Sequence, residues 1–510
     1  ICQWDKNAVE DAGFVKIDFL ALGALSQMQD ATREIEQRTG EPVDLTRIDF
    51  EDPEVYAMLH RTDTIGIFQV ESAAQIQTIP RIKPLNLTDM AREVAAVRPG
   101  VGANDGVRHY IRRRTGDEPV AFDHDLEKRA LERTLGVILF QDQVNQLAID
   151  VGGLSPSDAD LLRRAYGRRN NQGLLDHYWE LFRDGSAAKG VDEETAGRIF
   201  SKFNGGYMFP ESHAFAFGVT AYQMSWLKRY YPLEFYLGLL NQQPMGFYSP
   251  ETLKEDARRH GITVLNPDVN LSRDLCTIED DSIRLGFGYV RDIGQNAAKR
   301  IVVVRKRGAP FSALADFMER TGLLQGELES LADAGALDTF NPDRRTTKWE
   351  VGLRYHPVDK QIGLGLAVDQ DTTLLPKLHA GEVIEGEYRS LGMYPSGHVM
   401  AHLRPGLPGV LTSQDPGGLQ DGQRVTVAGL VVRRQRPSGK TVFITLEDEY
   451  GHIPLMIWER EYQRLRHQLA NPLLKVQGTV SRQEGTLNIL ITHVDVLGGA
   501  NTGLKAKNWG

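Results

Sequence analysis

The sequence predicts a multidomain α+β protein in which a large helical region lies between one short strand and a C-terminal β-barrel. Three observations support this fold class. Residues 13–23, GFVKIDFLALG, alternate apolar and polar side chains with the period of a strand. From residue 26 to about 240, apolar residues recur at spacings of three and four, which is typical of helices. From 424 to 496, short alternating runs are separated by turn residues, which is typical of a small barrel.

Composition narrows the function classes. A length of 510 residues predicts three or four domains, and because the chain starts at Ile1 we expect a fragment of a longer protein. No apolar run approaches the roughly 20 residues that span a bilayer, so we expect no membrane contact. Two distant cysteines, Cys2 and Cys276, favour a reducing, cytoplasmic setting. The net charge of -9 confines any nucleic-acid contact to local basic clusters.

The first candidate for chemistry is Asp18 in the predicted N-terminal strand. Val15, Ile17 and Phe19 share one face of this strand, and Asp18 lies on the other face with Lys16. Burying a bare carboxylate would cost on the order of several kcal/mol. Asp18 must therefore be solvated, paired or bound to a metal, and an edge strand whose aspartate simply faces water is the alternative.

Three arginine groups lie in the helical region: Arg98; Arg112, Arg113 and Arg114; and Arg163, Arg164, Arg168 and Arg169. In the last group, a spacing of four residues puts Arg164 and Arg168 on one helix face with Arg163 beside them. Such a face suits a triphosphate or a nucleic-acid backbone, because guanidinium groups match phosphate oxygens. The alternative is a solvated face that pairs with Asp158 and Asp160.

A loop and an aromatic-rich helix follow at residues 205–232. His213 lies within one turn of the predicted helix start, where it could contact a phosphate. A capping or core histidine is the simpler alternative. Aromatic residues at helical spacing in this stretch are typical of a core, although a ring at its rim could stack on a base.

Two compact helical units are predicted at residues 290–308 and 323–340. Each ends one helix and begins another near a glycine, a geometry that points backbone N–H groups at a phosphate. Gly294 together with Lys299 and Arg300 makes the first unit a candidate site for non-specific DNA binding. A hairpin that only packs is the alternative.

The C-terminal segment describes an OB-fold barrel. Periodicity fades between about 341 and 381, which predicts a linker, and five strand-like runs then follow with a helix between the third and fourth. Such barrels often bind single strands, with Phe443 supplying stacking and Arg433 and Arg434 supplying charge. A barrel that only contacts proteins is the alternative.

Taken in order, these stretches resemble the bacterial C-family DNA polymerases, the family of the DNA polymerase III alpha subunit. The resemblance rests on GFVKIDFLALG, FQVES, VRPG, IRRRTG, LGVILFQDQV, LLRRAYGRRN and FPESHAFAF, followed by the barrel. The phrase QPMGFYSPETLKEDARRHG and the sequence PESHA favour the error-prone branch. The resemblance divides the chain into the end of the palm (1–24), the fingers (25–245), a tandem helix-hairpin-helix region (246–340), a linker and connector (341–405), the OB-fold (406–500) and a tail (501–510).

The resemblance implies error-prone, template-directed DNA synthesis in damage-induced translesion synthesis and repair. Asp18 then matches the third of three palm aspartates that hold two Mg²⁺ ions. The other two aspartates lie upstream of this chain, so we expect the chain alone not to polymerise. Arg163, Arg164 and Arg168 match arginines that grip the incoming triphosphate, and we place His213 with them. DNA contacts are expected from Arg98, Arg112, Arg113, Gly294, Lys299, Arg300, Arg433, Arg434 and Phe443.

The implied partners are primer-template DNA, deoxynucleoside triphosphates, and a sliding clamp reached indirectly through accessory translesion proteins. One departure from the family pattern affects the first hairpin, where Asp292 replaces the usual glycine. Two other functions stay open. They are a replicative DNA polymerase III alpha subunit and a non-catalytic DNA-binding scaffold.

Overall fold

The computed structural model describes residues 4, 8–9, 12–14, 22–97, 105–166, 172–203, 209–246, 248–355, 372, 375–436, 441–483, 486–498 and 507–509. Three of the predicted site residues, Asp18, Arg98 and Arg168, lie outside these ranges. Among the described residues, no helix is long and apolar enough to span a bilayer.

The first half of the described chain is helical, and capping side chains define several helix starts. Asp52 accepts a hydrogen bond from the N–H of Glu54, and Ser72 and Gln75 form a reciprocal capping box. The helices are α1 (Leu22–Thr39), α2 (Pro53–His60), α3 (Ala73–Ile82), α4 (Leu87–Ala96), α5 (Asp105–Thr115), α6 (Lys128–Leu131), α7 (Gln141–Asp150), α8 (Pro156–Tyr166), α9 (Gln172–Ala188), α10 (Glu193–Ser201), α11 (Glu211–Tyr230) and α12 (Pro232–Asn241).

Glycines let the main helices of this half approach closely. A Cβ atom at Gly218 of α11 would lie 3.2 Å from the backbone nitrogen of Ala91 on α4. A Cβ atom at Gly238 of α12 would lie 2.7 Å from the carbonyl oxygen of Gln27 on α1. The chain uses glycine at both crossings because any larger residue would separate the helices. The crossing helices bury a core that includes the fully buried Tyr222.

A second apolar cluster is formed by α6–α10 and the residues that directly follow α10. Phe182 and Phe203 lie at its centre with their rings edge to face, 5.5 Å apart. The backbones of Gly152 and Gly185 meet so closely that a Cβ atom at Gly185 would lie 1.8 Å from the Gly152 carbonyl oxygen. This cluster positions α8, which carries Arg163 and Arg164.

The middle of the chain shares its core with the first half. Ile301 and Phe317 belong to the same buried cluster as Leu59 and Leu239. A small sheet joins β1 and β3 in parallel and β2 and β3 in antiparallel fashion. The elements are α13 (Pro250–Arg259), β1 (Thr263–Leu265), β2 (Thr277–Glu279), β3 (Ser282–Arg284), α14 (Gln295–Arg307), α15 (Leu314–Thr321), α16 (Gln325–Asp333), α17 (Arg344–Arg354), α18 (Ala380–Leu391) and α19 (Val399–Leu403).

The C-terminal segment is a barrel, and the predicted order of five strands with a helix between the third and fourth is confirmed. Within the barrel, the first strand pairs with the second strand and with the fourth. The third strand pairs in parallel with the fifth, and these pairings close the sheet. A short strand near the end of the chain pairs in parallel with the first barrel strand. The elements are β4 (Arg424–Gln435), β5 (Thr441–Glu447), β6 (His452–Trp458), α20 (Glu459–Leu469), β7 (Leu473–Gln483), β8 (Thr486–Val496) and β9 (Lys507–Trp509).

The first barrel strand is buried on both of its faces. Val427 and Val431 point into the barrel core, whereas Ala428, Leu430 and Val432 pack in a separate apolar cluster. That second cluster is completed by side chains of α18 and α19. The barrel is therefore packed against the preceding helices through β4.

Candidate nucleotide and nucleic-acid interface

A short parallel bridge between Phe140 and Phe209 brings the N-termini of α7 and α11 together. The N–H of Gln141 donates to the carbonyl oxygen of Phe209 at 3.0 Å. The N–H of Glu211 donates to Oδ2 of Asp142 at 2.7 Å. The partial positive charges at two helix starts therefore lie side by side.

Arg163 and Arg164 of α8 are held next to this bridge by a shared carboxylate. Arg163 donates from Nη1 to Oε1 of Gln141 at 3.1 Å and from Nη2 to Oδ1 of Asp160 at 2.7 Å. Arg164 Nε lies 2.8 Å from Oδ2 of Asp160. The hydrogen bond from Arg163 is the largest effect holding the pKa of Asp160 below its usual range. The pairing with Asp160 that the sequence left open as an alternative is present.

His213 lies in an aromatic setting in the first turn of α11. Its ring stacks on Phe209 with centroids 5.0 Å apart and meets the edge of Phe217 at 4.1 Å. The ring is half-buried. Since Phe209 also accepts the N–H of Gln141, the histidine and Arg163 flank the same bridge. Arginine side chains beside two helix starts form a surface that suits an anion.

The three consecutive arginines of α5 have different surroundings. Arg113 donates to Glu118 at 2.9 Å and to the carbonyl oxygen of Leu135 at 2.8 Å. Arg114 forms a bidentate pair with Asp89 at 2.9 and 2.6 Å. Arg112 is exposed and lines an open pocket. Of the two DNA contacts predicted here, Arg112 is at the surface and Arg113 is engaged within the protein.

The first hairpin places Gly294 at the N-cap of α14, where a Cβ atom would meet nothing within 4 Å. Lys299 and Arg300 are exposed, and Arg300 also reaches two carbonyl oxygens at the end of α15. Asp292 has a φ angle of +68°, and its carboxylate accepts the hydroxyl of Ser330 at 2.9 Å. Aspartate thus adopts here the left-handed conformation that favours glycine.

The structure corrects the expectation for Arg433, because this side chain is inside the protein. It is only 3% exposed, and its guanidinium lies 5.0 Å above the ring of Tyr248. Its Nη2 also donates to the carbonyl oxygen of Glu71 at 3.4 Å. A direct DNA contact by Arg433 is incompatible with this burial. The guanidinium joins the barrel to the helical region instead.

The other two barrel candidates differ from each other. Arg434 donates to the carbonyl oxygens of Leu469 and Asn471, and burial lowers its pKa below the usual range. Phe443 is half-exposed and lies opposite Met456 on the neighbouring strand. The stacking contact of Phe443 stays a prediction.

Sequence reasoning missed a cluster of buried charges around α13. Lys254 is 2% exposed and donates to Oε1 of Glu251 at 3.1 Å, to Glu255, and to the carbonyl oxygens of Tyr394 and Gly397 at 2.9 and 2.6 Å. Burial raises the pKa of Glu251 to about 7. Partners that bury these charges come from distant segments of the chain.

The same cluster extends into the barrel through Glu447. This fully buried carboxylate accepts the hydroxyl of Thr252 at 3.0 Å and Nη2 of Arg259 at 2.9 Å. Burial alone would raise its pKa, but His452 and Arg259 hold the pKa well below the usual range. Burial lowers the pKa of His398 to about 4. We refer to these residues and α13 together as the buried charge cluster.

A further group of carboxylates and a histidine has the spacing of metal ligands. Oxygen and nitrogen atoms of Asp63, Asp256 and His260 lie within 4.8 Å of one another. The buried ammonium group of Lys228 lies 2.7 Å from Asp63 and 2.8 Å from Asp256. Lys228 therefore already supplies the positive charge, and a metal ion does not fit this group.

Comparison with known proteins identifies three segments. Residues 24–190 match the bacterial DNA polymerase III alpha subunit finger domain, residues 261–347 match a helix-hairpin-helix motif, and residues 425–497 match an OB-fold nucleic acid binding domain. The predicted resemblance and fold class are confirmed.

Curated relatives cover nearly the whole chain. An error-prone DNA polymerase of Mycolicibacterium paratuberculosis is 39% identical over 502 residues, which are 96% of this chain and 46% of the relative. One from Pseudomonas paraeruginosa is 39% identical over 527 residues, 100% of this chain and 51% of the relative. One from Pseudomonas fluorescens is 40% identical over 517 residues, 96% of this chain and 49% of the relative. The chain spans about half the length of the curated relatives it matches.

Among solved structures, asparaginyl-tRNA synthetase from Pyrococcus horikoshii aligns with 16% of this chain and 21% of its own chain. The identity is 23% and the TM-score is 0.14. This likeness is too small to inform the function.

Proposed function

We propose that this chain is part of an error-prone DNA-directed DNA polymerase, which transfers nucleotides from deoxynucleoside triphosphates to a primer 3′ hydroxyl on a DNA template. The order of the finger, helix-hairpin-helix and OB-fold segments supports this function, as do relatives of that name at about 39% identity. The observation that carries the proposal is the placement of Arg163 and Arg164 beside two helix starts, a surface suited to a triphosphate.

In this function, Arg163 and Arg164 bind and neutralise the triphosphate, since phosphoryl transfer depends mainly on positioning and charge neutralisation. Gln141 and Asp160 hold Arg163 in place before a nucleotide arrives. A bound phosphate competes with Asp160 for the guanidinium groups. His213 is placed to contact the same ligand from α11. Arg168 belongs to the proposed set but lies outside the described residues.

We assign Asp18 as one ligand of a two-magnesium site whose remaining ligands lie outside this chain. Bound metal would activate the primer hydroxyl and neutralise the phosphate charge. Asp18 lies outside the described residues, so the assignment is supported by its sequence alone. In a longer polymerase that includes the remaining ligands, Asp18→Asn should abolish primer extension, and full activity would remove Asp18 from the metal site.

A nucleotide titration of this chain tests the arginine surface. Arg163→Ala should weaken triphosphate binding by about ten- to a hundredfold, because a charge-assisted hydrogen bond to an anion contributes roughly 1.5–3 kcal/mol. Arg183→Ala is the matched control, since Arg183 pairs only with its neighbour Asp184 among its described contacts. An unaltered chain with no affinity for triphosphates would contradict the assignment and favour the DNA-binding scaffold.

The finer role is also part of the proposal. It is damage-induced translesion synthesis in the cytoplasm, with indirect access to a sliding clamp through accessory proteins, as the sequence resemblance implies; the relatives' name supports only the error-prone polymerase. The replicative alpha subunit is the second candidate. Extension past an abasic site, measured with and without a clamp, separates the two, because a replicative enzyme would stall at the lesion and depend on the clamp.

We also propose that the boundaries near residues 245 and 405 separate segments that differ in sequence pattern but do not fold independently of one another. The apolar core that contains Leu239 also contains Ile301. The helix α13 is buried and reaches Glu447 of the barrel through Thr252. Separation at either boundary would expose these groups to water.

A further inference from the structure

We propose that a basic pocket between α3 and α5 binds the backbone phosphates of a DNA strand, separately from the arginine surface beside Gln141. The pocket has a volume of about 630 Å³. Its polar lining consists of Arg81, Lys83, Arg108, Arg112, Thr115 and Asp117. We call this set the basic pocket. The inference rests on the proposed function only for the identity of DNA as the ligand.

The charge of the basic pocket differs from that of the chain. Four cations and one carboxylate give a formal charge of +3, whereas the whole chain carries -9. Lys83, Arg108 and Arg112 are exposed to solvent. A concave surface with this charge attracts polyanions and concentrates them locally.

The geometry of α5 spaces its cations along one face. Arg108 and Arg112 are four residues apart and therefore share a face, about 6 Å apart along the helix axis. Thr115 follows three residues later on the same side, and its hydroxyl donates to Oδ2 of Asp117 at 2.6 Å. This separation lets each guanidinium take a different phosphate of one strand.

The wall opposite α5 is fixed by a buried pair. Arg114, which lies next to the exposed face of α5, donates to the carbonyl oxygens of Ile82 and Lys83 at 2.5 and 3.1 Å. It also holds the buried carboxylate of Asp89 in a bidentate contact. The end of α3 is thereby tied to α5, so the pocket is formed before a ligand arrives and binding costs less ordering.

The residues that line the basic pocket favour a phosphate group over a nucleobase. Its apolar members are Pro80 and Ile111, and no aromatic ring is present among the residues that line it. A base would find no stacking partner there, whereas sugar and phosphate groups find apolar contact and cations. Cations spread over two helices suit a run of phosphodiesters better than one terminal phosphate.

The salt dependence of DNA binding tests this inference. Binding of labelled duplex and single-stranded oligonucleotides to the full chain is measured by fluorescence anisotropy between about 50 and 200 mM salt. In the variant Arg108→Gln/Arg112→Gln, the log–log slope should become shallower by about 1.8 on duplex or about 1.4 on a single strand, at roughly 0.9 or 0.7 per lost phosphate contact. In Lys83→Gln the slope should become shallower by about half as much. This single variant provides an independent test if the double variant does not fold.

Arg33→Gln/Arg47→Gln is the matched control. It removes the same charge from exposed positions on or after α1, where each arginine pairs with a nearby aspartate. A slope change equal to that of the control would overturn the inference, because net charge alone would then explain it. Loss of inorganic tripolyphosphate binding with an unchanged oligonucleotide slope would also overturn it, since the pocket would then take free polyphosphate.

Failure of the proposed function gives a different result. The double variant should keep the triphosphate affinity of the arginine surface, because no residue is shared between the two sites. A chain that binds no triphosphate but shows the reduced slope in the variant contradicts the nucleotide assignment and supports the basic pocket. A chain that binds triphosphate with an unchanged slope contradicts only the basic pocket.

Discussion

The buried charge cluster around α13 and the basic pocket beside α5 are built from the same kinds of residues. Six of the ten residues of α13 are charged, and α5 carries four arginines among its eleven residues. In the buried charge cluster, Lys254 and Glu251 find partners within the protein. In the basic pocket, Arg108 and Arg112 face solvent. Charge density alone therefore does not separate a buried charged segment from an exposed one; the burial of the side chains does.

The largest expected effect comes from removing one partner inside the buried charge cluster. Lys254→Met leaves the buried carboxyl of Glu251 without its cation and leaves Glu255 with Arg258 alone, which should cost about 3–5 kcal/mol. The midpoint of urea unfolding measures the loss. Lys128→Met is the control, because Lys128 is exposed and pairs with Asp125 at the surface, so its midpoint should not move. Equal midpoints for both variants would show that burial of Lys254 has no structural consequence.

The next effect is a pair of opposite pH dependences within the same cluster. The folded-state pKa of Glu251 is raised to about 7, so its stabilising contribution is complete below about pH 4.5 and is lost as the pH rises toward 7. The pKa of His398 is lowered to about 4, so its contribution is complete above about pH 6.5 and is lost as the pH falls toward 4. The two slopes oppose each other between about pH 4.5 and 6.5.

Single variants should reveal each slope. Glu251→Gln leaves the His398 dependence, so stability should fall on acidification by up to about 2–3 kcal/mol across two pH units. His398→Gln leaves the Glu251 dependence, and stability should fall as the pH rises through the same window. Urea midpoints at about pH 4.5, 5.5 and 6.5 measure both. If the urea midpoints of the two variants changed with pH in the same direction, the opposite pH dependences assigned to Glu251 and His398 would be contradicted.

A smaller effect is expected at Glu93 of α4, a buried carboxyl whose oxygens lack a hydrogen-bond partner in the described structure. Burial raises its pKa well above the usual value. The folded state is therefore stabilised by Glu93 at low pH and loses that contribution as the pH rises. Glu93→Leu should increase stability at pH 8 by about 1–3 kcal/mol, with less gain at pH 5.

Thermal unfolding at both pH values measures the change at Glu93. Glu93→Gln is the control, because it cannot ionise but keeps the unmet hydrogen bonds. It should flatten the pH dependence without the full gain of Glu93→Leu. A stability loss in Glu93→Leu at pH 8 would mean that the carboxyl has a partner that keeps it charged.

The smallest expected effect lies at the exposed turn of the first hairpin. Asp292→Gly removes a negative charge close to Gly294 and should raise duplex affinity about two- to fivefold, roughly 0.4–1 kcal/mol. Asp292→Asn keeps a residue that tolerates positive φ and removes only the charge, so it should give the same gain. Anisotropy with a duplex measures both variants. A gain in Asp292→Gly alone would attribute the effect to backbone geometry instead.

The fold could be predicted from the sequence wherever a strand or helix has one buried and one exposed face, because apolar residues then recur with the period of that element. The barrel strands and the helix after the third strand follow alternation and turn residues directly. Burial of Arg433 could not be predicted in this way, because it depends on Tyr248 and Glu71, which are distant from β4 in the sequence. An arginine on such a strand has the same local sequence as one that faces solvent.

The basic pocket and the buried charge cluster escaped sequence reasoning because they join residues that are distant in the chain. Arg81 and Arg108 belong to different helices, and only Arg112 stood in a recognisable arginine group. Lys254 is satisfied by carbonyl oxygens of Tyr394 and Gly397, some 140 residues away. No local pattern encodes such partners.

The contact of Thr252 and Arg259 with Glu447 has a mechanical consequence. Pulling the barrel away from α13 would remove two donors from the buried carboxylate of Glu447 and leave it with His452 of its own barrel. We therefore expect the barrel and α13 to move together as one rigid unit, so that any bending of the protein occurs at other positions.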